Sequence, residues 1–255
     1  MQPPELVERD ALRSLGTAPG AAVADVGSAV AFSLPALPDV RMVHHTVGLG
    51  EDEPADDAVL DEITAFYRAL GVRFYAAVTP TAAPPDVRDR LARRDFEHGY
   101  DWMKFTRGVE PPPEVTTELD IRLVGAEAGG DFATVVVQAY GIPEAGSGTV
   151  AEVPGLDGWS AYVGYDGGAP AAAGAIFVAG RLGWLSFAGT LPEHRRKGGQ
   201  GAVLAARIAR ARELGVTTLV TETGMMAEGR PSNSYRNILR SGFREAYVRE
   251  NYLSP

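Results

Sequence analysis

The chain has 255 residues, 45% of them hydrophobic, with a formal net charge of −9 and no cysteine. Disulfides, iron–sulfur ligation, thiolate zinc sites and a cysteine nucleophile are thereby excluded, and the acidic balance argues against a general nucleic-acid binder. No run approaches the roughly 20 apolar residues of a membrane span, and the start of the chain lacks the pattern of a secretory signal. The expectation is a cytoplasmic protein without membrane or nucleic-acid partners.

In chain order, strands are expected near 22–33 and 40–48, then a helix at 57–70 that stops at Gly71. A strand at 72–79, a helix at 85–94 and a strand at 98–106 follow. VEPPPEVTTELD, residues 109 to 120, combines three prolines with acids and threonines and reads as an interdomain linker. The cut places one domain at 1–110, a linker at 111–118 and a second domain at 119–255. Beyond it a strand is expected at 119–124 and a helix near 130–140. After a polar, Gly-rich stretch come strands at about 159–166, 170–179 and 183–190. A basic loop then leads to a helix over about 199–214, where Val203, Leu204, Ile208 and Leu214 recur at roughly helical spacing. Gly215 should end it, before a strand at 216–223, a helix at 232–241 and a last strand from Phe243.

The two halves repeat one pattern. A shift of 144 lays RALGVRFYAAVT (68–79) on RELGVTTLVTET (212–223) and Ala58-Val59-Leu60 on Ala202-Val203-Leu204. LARRDF at 91–96 resembles LRSGF at 239–243. A register kept over some 30 positions marks an internal repeat.

Chemistry concentrates in LPEHRRKGGQG, residues 191 to 201. A glycine-rich strand-to-helix turn lets backbone N–H groups approach a ligand at the positive end of a helix dipole, which suits a phosphate or pyrophosphate. Arg195, Arg196 and Lys197 add charge; the competing role is a solvated basic turn. A Walker A loop is a poor fit because Lys197 precedes the glycines, and a dinucleotide-binding fingerprint would need a parallel sheet. The aligned stretch of the first half, Glu51 to Asp57, has five acids and no base. Five acids facing a pyrophosphate would abolish binding, whereas Asp56 or Asp57 makes a good helix cap.

With this loop, the order of elements and the tail NSYRNILRSGF on the page, residues 119 to 253 resemble a GNAT-type (GCN5-related) N-acyltransferase, whose pyrophosphate loop reads Gln/Arg-x-x-Gly-x-Gly/Ala. The resemblance implies an α/β fold with a mixed, largely antiparallel sheet flanked by helices, here in two GNAT-like halves of which the first is degenerate. It implies that acetyl-CoA or another acyl-CoA is the cosubstrate, its pyrophosphate held by Arg195, Arg196, Lys197, Gly198, Gly199, Gln200, Gly201 and Ala202. The pantetheine arm would pair with Ala188, Gly189, Thr190 and Leu191. Two registers are open, Arg195-x-x-Gly198-x-Gln200, which a Pro192 anchor favours, and Arg196-x-x-Gly199-x-Gly201.

Many members of the family place a tyrosine acid four residues before the Gly of the Gly-Phe pair; here that position is Ile238. Tyr235, three residues earlier on roughly the same helix face, becomes the candidate acid, with Tyr247 and Tyr252 on the last strand as others and packing as the competing role of each. Glu222 is the candidate base, since the strand before the loop ends only in Ser186 and Thr190; an exposed or structural acid is its other reading. Asn233 and Asn237 are candidate polar contacts to pantetheine or acceptor, Asn233 equally a helix cap. The four histidines show no metal spacing, so no metal is expected, and Trp159 and Trp184 read as core. The function expected is acyl transfer to a small-molecule or peptide amine by direct attack in a ternary complex, with no covalent intermediate. A non-catalytic acyl-CoA-binding or regulatory protein is the alternative, and a homodimer is an open assembly.

Overall fold

The computed structural model of the chain describes residues 4–225 and 232–255. Its elements are α1 (Glu5–Leu15), β1 (Ala22–Val26), β2 (Ala29–Ser33), β3 (His45–Val47), α2 (Asp57–Leu70), β4 (Tyr75–Val78), α3 (Val87–Ala92) and β5 (Glu97–Arg107). Then come β6 (Asp120–Val124), α4 (Gly129–Tyr140), α5 (Ser147–Glu152), β7 (Trp159–Asp166), β8 (Ala169–Ala179), β9 (Leu182–Thr190), α6 (Gly199–Glu213), β10 (Thr218–Gly224), α7 (Asn233–Arg240) and β11 (Arg244–Leu253). Sequence reading found these except α1 and α5, and the single segment expected at 22–33 is a hairpin of two strands, β1 and β2. The expected strand at 40–48 is shorter because residues 41–43 form a 3-10 turn ahead of β3.

Two compact units divide the chain. One comprises Met1–Lys104, Thr223–Met225 and Ala246–Pro255; the other comprises Phe105–Glu222 and Met226–Glu245. The last ten residues thus belong to the N-terminal unit, because Glu250–Leu253 of β11 pairs antiparallel with Val78–Tyr75 of β4. Segment 111–118, expected as a linker, lies within the second unit and packs beneath the loop before α6, as described below.

In the first unit the strand order is β1-β2-β3-β4-β11-β5, with β3 and β4 parallel. Its apolar core gathers Leu60, Ile63 and Tyr67 from one face of α2 with Phe74, Ala76, Val78, Leu91 and Phe96. The periodicity of α2 explains that face, and Gly71, at φ 68°, closes the helix in the left-handed region where glycine is cheapest.

In the second unit the order is β10-β9-β8-β7-β6. Strands β6 to β9 form an antiparallel meander, and β10 joins β9 in parallel. That pairing covers only Thr218–Val220 against Leu182–Trp184, while β9 runs on to Thr190. Toward its end β9 also loses register with β8, and Phe187 adopts φ 55°. Such a bulge twists a strand and re-aims its groups. Helix α6 buries Val203, Leu204, Ile208 and Ala211, and Val203 packs with Leu119, Tyr162, Ala171 and Ala172.

Candidate active site

The turn from β9 into α6 is built around Gly198. Its φ is +76°, and a Cβ there would lie 2.1 Å from the carbonyl oxygen of Thr116, so only glycine fits. From the same segment, the side-chain hydroxyl of Thr117 donates to the Lys197 carbonyl at 2.8 Å and the Glu118 amide donates to it at 3.2 Å. No side chain among the described residues caps α6. The first N–H groups of a helix have no intrahelical acceptor, so those at the start of α6 face outward with the positive end of the dipole.

Around them opens a pocket of about 870 Å³, within the range of small-molecule and cofactor sites. Of the expected cosubstrate contacts, Ala188, Gly189, Thr190, Arg195, Arg196, Gly198, Gly199, Gln200, Gly201, Asn233 and Asn237 line it. Leu191 is buried instead, and Ala202 continues the helix. Lys197 is turned away from the lining: its Nζ lies 2.5 Å from Asp166 Oδ2, which also sits 2.8 Å from His194 Nδ1. Hydrogen bonds from Lys197 and then His194 hold the Asp166 carboxyl below the usual range, and Asp166 in turn raises Lys197. Lys197 therefore anchors the loop rather than facing the pocket.

Sequence reading did not single out Ser234, Arg236 and Arg240, which complete the α7 side of the lining. Gln200 joins α6 to α7, accepting from Asn237 Nδ2 at 2.5 Å and reaching Ser234 Oγ at 3.5 Å. Asn233 accepts from Arg236 at 2.5 Å, while the cap of α7 is Ser232, which accepts from the Tyr235 amide. Thr190 Oγ1 is buried and has no hydrogen-bond partner among the described residues.

Tyr235 is not brought to the pocket. Its ring meets Phe105 edge-on, and its hydroxyl donates to Glu245 at 2.5 Å. Burial and that carboxylate push it up to about 12. Ile238 is buried beside it on α7. Tyr247 lies in the other unit, 2.7 Å from Glu5, and Tyr252 reaches Glu250.

Glu222 stands on β10 with Trp184 Nε1 at 3.1 and 3.0 Å from its two carboxylate oxygens. Trp184 packs with Trp159, which also meets Phe177 and Phe187, so both tryptophans are core, as expected. Tyr140, at the end of α4, was not anticipated. Its ring is partly exposed, while its hydroxyl lies near the Ala188 backbone and feels the charges of Arg207 and Glu222. Loss of solvent around the hydroxyl pushes it up to about 12. Arg207 is buried under the bulge, donating to the carbonyls of Ala175 and Ser186, and burial lowers it to about 10.

The aligned turn of the first unit is closed by its own atoms. Asp56 caps α2 by accepting from the Val59 amide at 3.0 Å. The Ala55 amide donates to Ala83 at 2.7 Å, the Ala83 amide donates to Gly50 at 2.8 Å, and Thr79 donates to Glu51.

No family model matches the chain, and no curated protein matches it. Solved structures do. A GCN5-related N-acetyltransferase from Kribbella flavida superposes with a TM-score of 0.67 at 19% identity, covering 98% of this chain and 94% of that one. One from Sphaerobacter thermophilus gives 0.62 at 15%, covering 96% and 85%. A tandem GNAT protein from the clavulanic acid biosynthesis pathway gives 0.62 at 15%, covering 98% and 93%. The two units of this chain together have the fold of a tandem GCN5-related N-acetyltransferase.

Proposed function

We propose that the chain is an N-acyltransferase that moves an acetyl or short acyl group from acyl-CoA to a small-molecule or peptide amine, with the second unit as the working half. The observation that carries this reading is the pocket at the uncapped start of α6, lined by arginines and continuous with Ala188–Thr190, where β9 has left its parallel partner. Pyrophosphate would rest on the first N–H groups of α6 beside Arg195 and Arg196. The left-handed backbone and close Thr116 contact at Gly198 support the register Arg195-x-x-Gly198-x-Gln200. Pantetheine would then add along the end of β9 as an extra strand.

The neutral amine attacks the thioester carbonyl. An N–C bond forms, the C–S bond breaks, the amine loses a proton and the thiolate gains one. Glu222 is assigned the first transfer, directly or through water. Tyr140, whose hydroxyl lies near the Ala188 backbone at the end of the arm's path, is assigned the second.

Calorimetric titration of acetyl-CoA tests the reading. Saturable one-site binding, lost in an Arg195→Glu/Arg196→Glu variant, is expected; no binding to the wild type overturns it. A second reading, non-catalytic acyl-CoA binding, is favoured by Ile238 at the family's acid position and by engagement of the Tyr235 hydroxyl with Glu245. Binding without thiol release across a panel of amines would establish that alternative.

A further inference from the structure

We infer that the pocket contains a second phosphate subsite, formed by Arg236 and Arg240 of α7, that selects a cosubstrate carrying a ribose 3′-phosphate. The inference rests on the acyl-CoA reading above.

Two arginines one helical turn apart on an exposed face repel each other, and a fold ordinarily relieves this with acids. The first unit does so. Arg90 of α3 pairs with Asp57 and Asp86, and Arg94, in the turn after α3, pairs with Asp57 and Asp61. In the second unit, Arg236 and Arg240 have no carboxylate partner among the described residues, and both line the pocket. No acidic residue shares that lining among the described residues. Arginines four positions apart thus occur in both units, neutralised by acids in the first and without a carboxylate partner among the described residues in the second.

Charge arithmetic separates two phosphate positions. Arg195 and Arg196 lie at the loop, where the two negative charges of a pyrophosphate would sit. A phosphate monoester adds about −1.5 to −2 more at neutral pH, and the α7 pair matches it. In coenzyme A that monoester is the 3′-phosphate of the ribose.

Gln200 supplies the geometry. It stands where the family motif has Gly or Ala, and its amide ties the loop end of α6 to Asn237 and Ser234. The brace sets α7 beside the loop, so that both arginine pairs reach one pocket. Asn233, accepting from Arg236, steadies that guanidinium further.

The test compares coenzyme A with 3′-dephospho-coenzyme A by calorimetry on the full chain. Wild type should bind coenzyme A about 10-fold or more tighter, as charge-assisted bonds to a phosphate imply. Arg236→Gln/Arg240→Gln should lower affinity for coenzyme A while leaving the dephospho form unchanged, bringing the ratio near one. Gln200→Gly should reduce the ratio with the arginines intact. Equal binding of both compounds by wild type overturns the subsite and leaves the acyl-CoA reading standing. Equal losses for both compounds in the arginine variant also overturn it, since those residues would then serve the pyrophosphate. Binding of neither compound to wild type overturns the subsite and the acyl-CoA reading together.

Discussion

Arg249 on β11 holds Glu8 on α1 across a distance of 2.6 Å, with both side chains almost wholly buried. Lys104 reaches the same carboxylate at 2.6 Å, and Arg249 also lies 3.1 Å from Glu5. Four buried charges thus tie the first helix of the chain to its last strand. Removing one partner leaves the others uncompensated in a low-dielectric interior, which costs about 3–5 kcal/mol. Arg249→Met should therefore destabilise the N-terminal unit by about that amount in urea unfolding. A loss below about 1 kcal/mol would mean that the cluster is effectively solvated.

The same cluster predicts an acid-sensitive fold. Burial alone would raise the Glu8 carboxyl, but Arg249 and Lys104 outweigh it and lower the group from 4.5 to about 2. A depressed carboxylate stabilises above its unfolded value, and that contribution fades as pH falls from about 4.5 toward 2. Burial lowers His45 from 6.5 to about 4, and its Nδ1 has no partner among the described residues. The unfolded chain takes up that proton first, so stability should already fall between about pH 6.5 and 4. Urea midpoints measured at pH 7.5, 5.5 and 3.5 should decrease in that order, and His45→Gln should flatten the first step.

These charges explain part of what the sequence hid. Helix α1 carries Glu5, Glu8 and Arg9 on its buried side, so a search for an apolar stripe passes over it. Exchange of β11 into the first unit depends on pairing between residues more than 170 positions apart, which no local pattern encodes. By contrast α2, α6 and their closing glycines were legible because apolar spacing and αL glycines are local signals. The loop was legible for the same reason, but its partners were not: the direction Lys197 takes depends on Asp166 in a distant hairpin, and Tyr140 meets Ala188 only through tertiary packing.

Gly198 offers a clean comparison. Alanine there must hold φ near +76° and place its Cβ 2.1 Å from the Thr116 carbonyl oxygen, so backbone must move. Gly215 has φ +75° with nothing within 4 Å of a Cβ. Gly215→Ala should cost about 1 kcal/mol and leave acetyl-CoA affinity unchanged. Gly198→Ala should cost more and weaken acetyl-CoA binding about 10-fold or more, since the N–H groups it positions are the binding surface. Equal affinities in the two variants would separate the loop from the ligand.

Acid–base roles can be tested at two residues. In Glu222→Gln the side-chain carbonyl can still accept from Trp184, so packing should persist and acetyl-CoA titration should be unchanged. Acyl transfer should fall by about 100- to 10,000-fold if Glu222 takes the amine's proton. Raising the pH should recover part of that loss, because a larger fraction of the amine is then already neutral. Tyr140→Phe removes the hydroxyl near the Ala188 backbone and should lower kcat while KM for acyl-CoA changes little. Full activity in Glu222→Gln at every pH would leave that carboxylate as a structural partner of Trp184 alone, and would direct the search for the base to a water chain along β9.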